Sequence, residues 1–301
     1  MEVVITDMDY EVDYYEEKTR KILVLGSGGQ VGAYLTEYLR CADVEVMEFD
    51  ITNGSHQDMT MIPNGELEAK IYMADFVYFL AFDVGGSHYL KKYQHTFNFI
   101  DNNTRLMANA FGLIEKYKKP FVFASSQMSN MSYSPYGVLK RVGELYTKSL
   151  GGLIVKFWNV YGIEKDMDKA HVITDFIRKG FETGVIDMMT DGTEAREFLY
   201  AEDCCEALET VMDEYDNLSC DDELHITTGV YTTVLEIASE IKSLFSGIGK
   251  EIKITPAQSK DEVQKDARNE PDPYIKEFWQ PTTSVKEGLK KVFEEMKKDY
   301  E

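Results

Sequence analysis

The sequence predicts an α/β fold, a doubly wound parallel sheet with a smaller α/β lobe, and three observations carry that prediction. Short apolar runs at 22–25, 44–49, 76–81, 121–124 and 154–158 have the length of buried strands. Between them lie segments whose apolar residues recur at helical spacing, at 31–39 and 104–117, the second closed by Pro120. A glycine-rich loop directly follows the first run. Strands that alternate with helices build a parallel sheet covered on both faces, with its binding crevice at the carboxyl ends of the strands.

With 301 residues and 44% apolar content, the chain can bury a large core, as one large domain or as one and a half to two lobes. Residues 1–20 are rich in Asp, Glu and Tyr and read as an acidic N-terminal extension, with 3–5 as a candidate edge strand. Residues 21–165 form the first domain, completed by segments returning from the second half. Residues 166–301 make up mainly the smaller lobe, with helices expected at 173–183, 234–245 and 284–298, and this lobe caps the cleft.

Fifty-three acidic against 32 basic side chains give a formal charge of -21, which argues against nucleic-acid and acidic-membrane partners. A phosphate group bound here needs a local cradle. The four cysteines, Cys41, Cys204, Cys205 and Cys220, have no CxxC spacing and suit a reducing compartment. No run is long and apolar enough to span a bilayer, and no basic region followed by an apolar one opens the chain, so a cytoplasmic location is expected. No metal site is expected.

The loop reads Gly26-Ser27-Gly28-Gly29-Gln30-Val31-Gly32. Glycines at 26, 29 and 32, between a strand and a helix, let backbone N–H groups and the helix N-terminus approach a pyrophosphate. Asp50 ends the second strand, eighteen residues beyond Gly32, where a carboxylate accepts hydrogen bonds from adenosine ribose hydroxyls and repels a 2′-phosphate. No arginine follows in Ile51-Thr52-Asn53-Gly54, so NAD is expected over NADP.

A second motif follows the fourth strand: Ser125-Ser126-Gln127, then Ser134-Pro135-Tyr136-Gly137-Val138-Leu139-Lys140. Tyr136 and Lys140, four apart on a helix, share one face, which puts an ammonium near a phenol. A free phenol titrates near ~10 and becomes a useful base only where positive charge stabilises its anion. Lys140 and an oxidised nicotinamide can supply that charge, with Ser126 bonded to the same substrate oxygen. Alone, such a pair describes many solvated helix faces; the glycine loop upstream makes it a catalytic candidate.

Together, Gly26-x-x-Gly29-x-x-Gly32, Asp50, Ser125-Ser126 and Tyr136-x-x-x-Lys140 resemble the extended short-chain dehydrogenase/reductase family, in its NAD-dependent nucleotide-sugar epimerase/dehydratase branch. The resemblance runs over almost the whole chain from Lys21. It implies a Rossmann-type dinucleotide domain with a substrate-binding lobe. Gln30 and Val31 join the glycine loop in the cofactor set, Asp58 and Met59 match the adenine-contacting pair, and Leu80 and Ala81 match the strand end beside the cofactor. Asn159-Val160-Tyr161-Gly162 is similar to the family's Asn-x-Tyr-Gly step, whose Asn meets the substrate phosphate. Arg196, in Arg196-Glu197-Phe198, and Arg268, before Asn269-Glu270-Pro271-Asp272, are implied diphosphate ligands. Gly86 and Gln127 complete the implied substrate contacts, and a homodimer through the helices flanking the sheet is implied as well. His88, a type that titrates near working pH, is a candidate either to act on a sugar hydroxyl or carbon acid or to serve as a loop hydrogen-bonder, and His171 is a candidate substrate-lid contact.

Two departures from the family narrow the chemistry. Gln127 and Met128 stand where its 4,6-dehydratases carry an acidic pair, so dehydration is not expected. Asp83-Val84-Gly85-Gly86-Ser87 and Asp101-Asn102-Asn103-Thr104 resemble its GDP-mannose 3,5-epimerase and GDP-fucose synthase subgroups, but the catalytic Cys after the Ser pair is missing. The expected activity is epimerisation of a nucleotide-diphosphate sugar through transient oxidation of a hydroxyl, at C4. The alternatives are a C4 dehydrogenase or keto-sugar reductase and, more distantly, a non-catalytic NAD-binding scaffold.

Overall fold

The computed structural model describes residues 19–265 and 270–301. The acidic extension apart from Thr19 and Arg20, the candidate edge strand at 3–5, and Arg268 lie outside the described residues.

In chain order, the first half comprises β1 (Arg20–Leu25), α1 (Gln30–Arg40), β2 (Val44–Phe49), α2 (Gly65–Met73), β3 (Phe76–Phe79), α3 (Ser87–Tyr93), α4 (Phe97–Tyr117), β4 (Phe121–Ser126), α5 (Pro135–Leu150) and β5 (Leu153–Phe157). The second half adds β6 (Asn159–Tyr161), α6 (Val172–Thr183), β7 (Val185–Asp187), β8 (Ala195–Tyr200), α7 (Ala201–Asp213), β9 (Glu223–Ile226), β10 (Tyr231–Thr233), α8 (Val234–Gly247), β11 (Lys253–Thr255) and α9 (Val285–Lys297).

Six strands form one sheet in the order β2-β1-β3-β4-β5-β9, each pair parallel. This is the Rossmann-type sheet. Successive residues of β1 serve opposite faces: Ile22 and Val24 enter a core with α1 and α7, and Leu23 and Leu25 enter one with α2, α4 and α5. A strand buried on both sides has to be apolar throughout, which is why the run at 22–25 reads as it does. The strand order reverses between β1 and β3, where two βα connections leave in opposite directions and open a crevice.

The second lobe has its own core, in which α6, α8 and α9 pack through Ile177, Ile237, Ile241, Phe245 and Phe293. Its strands form a three-stranded sheet, β10-β8-β6, and a two-stranded parallel pair, β11-β7. The lobe is tied to the sheet at α7, where Asp203 is buried and accepts from Thr282 Oγ1 and from both the backbone and the hydroxyl of Thr283.

Candidate active site

A cavity of about 1460 Å³ runs from the glycine loop across the ends of β2, β3 and β4 to the second lobe. That exceeds the ~300–1,000 Å³ usual for one small ligand.

At its floor, Gly26 has φ +89°, and a Cβ there would lie 2.6 Å from Ala81 N. At Gly32 a Cβ would lie 2.0 Å from Gly26 O, so the helix can start this close to the strand only on glycine. The motif reading left out Gly28. A Cβ there would lie 2.2 Å from Thr52 Oγ1 and 2.8 Å from Asp50 Oδ1, so the loop can pass this close to the Asp50 carboxylate only on glycine. Gly29 caps α1 with no side-chain hydrogen bond, leaving first-turn N–H groups for an anion. Gln30, with its amide turned to satisfy both ends, donates to Val160 O and accepts from Gly162 N at 3.3 and 3.2 Å, which links α1 to β6; Val31 packs beside it on the α1 core.

The wall beyond is ordered by short polar contacts. Asp50 Oδ1 accepts from Thr52 N and Thr52 Oγ1, both at 2.8 Å. Asp58 Oδ1 holds Thr60 N and Oγ1 at 2.8 and 2.7 Å. Met59 is buried, and its carbonyl accepts from Asn109 Nδ2 at 2.7 Å. Leu80 and Ala81 follow β3 and face the same cavity, Leu80 N donating to Leu25 O. A glycine cradle that Cβ atoms would fill, with a carboxylate at the neighbouring strand end, fits a dinucleotide.

Deeper in, β4 delivers Ser126 and α5 delivers Tyr136 and Lys140, all three buried and all lining the cavity. The start of α5 is fixed by Ser134 accepting from Gly137 N, with Pro135 in the first turn. Burial pushes the Tyr136 phenol up to about 12, while a hydrogen bond with Ser126 pulls the other way. Burial also brings Lys140 down to about 7, against the carboxylate of Glu144. Lys140 Nζ donates to Ala124 O at 2.6 Å and lies 6.0 Å from the Tyr136 ring centroid. In the bare cleft, burial thus favours the neutral form of both groups, the phenol and the amine.

On the opposite side lie the residues implied for substrate. Asn159 lines the cavity and donates to Glu197 O at 3.5 Å. His171 binds Glu164 through Nδ1 at 2.7 Å and through its backbone N–H at 2.6 Å. Burial disfavours its charge, but Glu164 outweighs burial and raises the imidazole above its ordinary value. Gly86 lets α3 start against the loop that carries His171: its N–H donates to Lys169 O, and a Cβ would lie 2.5 Å from Ala170 O. His88 is exposed in the first turn of α3, at the cavity mouth. Gln127 is buried and donates to Gln264 Oε1 at 2.9 Å, outside the residues that line the cavity.

Arg196 lines the cavity but is already engaged. It donates to Asp261 Oδ2 at 2.6 Å, Lys265 O at 3.0 Å and Ala195 O at 2.8 Å. Asp261 belongs to a strap, 259–265, which the sequence reading did not single out. The strap reaches the first domain through Lys91–Glu262 at 2.7 Å and Tyr133 OH donating to Gln264 O at 2.8 Å. It meets the second lobe through Lys260–Asp191 at 2.6 Å. Among the described residues, no cluster of His, Cys, Asp and Glu is arranged to hold a metal, and no helix is long and apolar enough to cross a membrane.

A parallel sheet with its glycine cradle at the reversal of strand order, and a buried serine–tyrosine–lysine group opening onto the same cavity, defines a dinucleotide-dependent redox class of protein. The model of the NAD dependent epimerase/dehydratase family matches residues 22–226, and the chain belongs to that family, with NAD as its cofactor. A UDP-glucuronic acid decarboxylase 1 from Danio rerio is 24% identical over all of this chain and 78% of its own length. An epimerase from Methanothermobacter thermautotrophicus superimposes with a TM-score of 0.81 at 18% identity, over 94% of this chain and 93% of its own. A UDP-glucuronic acid 4-epimerase from Bacillus cereus, solved with UDP-glucuronic acid and NAD, does so at 0.77 and 21%, over 93% of this chain and all of its own.

Proposed function

We propose that the protein epimerises a nucleotide-diphosphate sugar by oxidising one sugar hydroxyl, at C4, and reducing the keto sugar from its other face. The observation that carries this reading is the shared cavity: Ser126, Tyr136 and Lys140 open onto the space that also meets the glycine loop, Asn159, His171 and Arg196.

Gly26, Gly28, Gly29 and Gly32, with the first turn of α1 at Gln30 and Val31, hold the pyrophosphate of NAD. Asp50 accepts from its adenosine ribose, Asp58 and Met59 flank its adenine, and Leu80 and Ala81 border its inner half. When bound, NAD supplies a hydride acceptor, a later hydride donor, and a positive charge beside the phenol. Tyr136 takes the proton from the sugar hydroxyl and returns it, while Ser126 orients the oxygen that gains and loses it. With the phenol at about 12 in the bare protein, little phenolate exists at neutral pH. Proton removal therefore belongs to the loaded cleft, where Lys140 and the cofactor both add positive charge.

Asn159, Arg196 and Arg268 are assigned to the diphosphate, and Gly86, His88 and His171 to the sugar side, while Gln127, bonded to Gln264 outside the cavity lining, is left out of the substrate set. The reading includes a homodimer. Val138, Val142, Leu145 and Tyr146 on α5, with Phe97 and Ile100 on α4, are large exposed apolar groups on the two helices that pack side by side. It also includes a reducing compartment such as the cytoplasm, supported by four free thiols, two of them buried.

Denaturing the purified protein and identifying the released dinucleotide, then screening sugar nucleotides by proton NMR, tests the proposal. Interconversion of two epimers without accumulation of reduced NAD supports it. Net accumulation of reduced NAD and an oxidised sugar would replace it with a dehydrogenase. Tight NAD with every sugar nucleotide untouched would leave a binding module.

A further inference from the structure

We propose that Phe82 is a positioning residue for the proton-transfer pair, its ring face clamping the Lys140 ammonium against the Ala124 carbonyl beside Tyr136. The inference rests on reading Tyr136 and Lys140 as that pair. Phe82 follows Ala81 just after β3, in the cavity wall. Lys140 Nζ lies 3.9 Å from the Phe82 ring centroid, closer than to the rings of Phe123 at 5.1 Å or Tyr136 at 6.0 Å. The same Phe82 ring meets Tyr136 edge to face at 5.7 Å, so one side chain fixes both members of the pair.

The charges around Lys140 explain why a ring face matters. On α5, Glu144 lies one turn beyond Lys140 and is wholly buried, but its carboxylate is shared. Ser125 Oγ donates to it at 2.5 Å, Arg141 meets it at 2.6 Å, and Lys156 of β5 meets it at 3.3 Å while pairing more closely with Glu223 of β9, at 2.6 Å. On the β3 side, Asp83 is taken up by Lys169 at 3.0 Å and Tyr89 at 2.6 Å. Tyr136 is a neutral phenol, and β4 offers only the Ala124 carbonyl and the Phe123 ring. The negative face of Phe82 is therefore the close, uncommitted partner that favours the charged amine against burial. An aliphatic side chain would fill similar space and give no such preference.

The test follows Lys140 directly, with no need to know the sugar. The full chain is prepared with isotope-labelled lysine, and the Lys140 resonance is assigned by its loss in Lys140→Met. The wild-type midpoint is expected near pH 7. A desolvated cation–π contact corresponds to a shift of about one pH unit, so Phe82→Leu titrates about one unit lower. Phe82→Tyr, which restores the ring, stays within a few tenths of wild type. Thermal melting establishes that each variant folds, and Phe82→Met serves as the aliphatic variant should the leucine variant not fold. A midpoint unchanged in the aliphatic variant, or lowered equally in Phe82→Tyr, overturns the proposal. If Tyr136→Phe kept full turnover while Phe82→Leu shifted Lys140, the pair's assignment would fail and the clamp would stand.

Discussion

Lys140 is almost completely buried, at 3% exposure, and an amine held there at about 7 instead of 10.5 ties a proposed catalytic group to stability. Below pH 7 the folded and unfolded chains both carry the proton, and the full cost of burying it falls on the fold. Between 7 and 10.5 the unfolded chain binds the proton more tightly, so stability rises with pH; above 10.5 the cost is gone. Lys140→Met should therefore be the more stable protein in denaturant melts at pH 6, by on the order of 3 kcal/mol, with the gap closing toward pH 10. A gap independent of pH would contradict the charge assignment. At this scale the sequence showed the groups that sit in a spaced motif: Ser126, Tyr136, Lys140 and the glycines. It hid Glu144 and Phe82, whose roles exist only where α5, β4 and the end of β3 meet, and it hid Gly28, whose need for a bare Cα comes from Asp50 and Thr52 on another connection.

Elements were legible where burial is strong and regular. The runs at 22–25, 44–49, 121–124 and 154–158 all fall in strands of the main sheet or at their ends. The run at 76–81 overshoots, because β3 stops at Phe79 and Leu80 and Ala81 turn along the cavity. α4 begins at Phe97 and not at 104: the polar stretch Asp101-Asn102-Asn103-Thr104 masks the helical pattern, although Asn103 is fully buried and bonds the backbone of Asp83 in both directions. α2 buries only Leu67 and Ile71, too few for a stripe, and the first turns of α7 pack through Ala201, Cys204, Cys205 and Ala207, with the large apolar residues Leu208, Val211 and Met212 confined to its last turns. α5 shows the reverse. Val138, Val142, Leu145 and Tyr146 recur at helical spacing and are 36–58% exposed, a stripe that a single chain leaves in water. Sedimentation should give twice the 34.5 kDa chain mass, and Leu145→Glu should shift it to the monomer. A wild-type monomer at micromolar concentration would remove the dimer from the account.

At the scale of the whole molecule, the strap at 259–265 crosses the cavity, meeting Lys91 and Tyr133 on one side and Asp191 and Arg196 on the other. The alternation of strands and helices made the first lobe readable at a distance. The strap was not readable, because Lys260, Asp261, Glu262 and Gln264 look like ordinary surface polarity until the fold sets them against Asp191, Arg196, Lys91 and Gln127. Arg196 and Asp261 are nearly buried, at 9% and 10% side-chain exposure, so the carboxylate already occupies the guanidinium that is proposed for the diphosphate. Asp261→Asn leaves that guanidinium short of a counter-charge and should lower the melting temperature of the sugar-free protein by several degrees. A saturating sugar nucleotide should then raise it more than in wild type, with KM reduced a few-fold. A KM that rises instead would make Asp261 part of the substrate site.

The proposed chemistry requires a buried phenol, Tyr136, to move the proton of a sugar alcohol. Tyr136→Phe removes one oxygen and keeps the ring against Phe82, so NAD binding and melting temperature should hold while turnover of the sugar nucleotide falls ~10²–10⁴-fold. A Tyr136→Phe protein that binds NAD and turns over at the wild-type rate would contradict it.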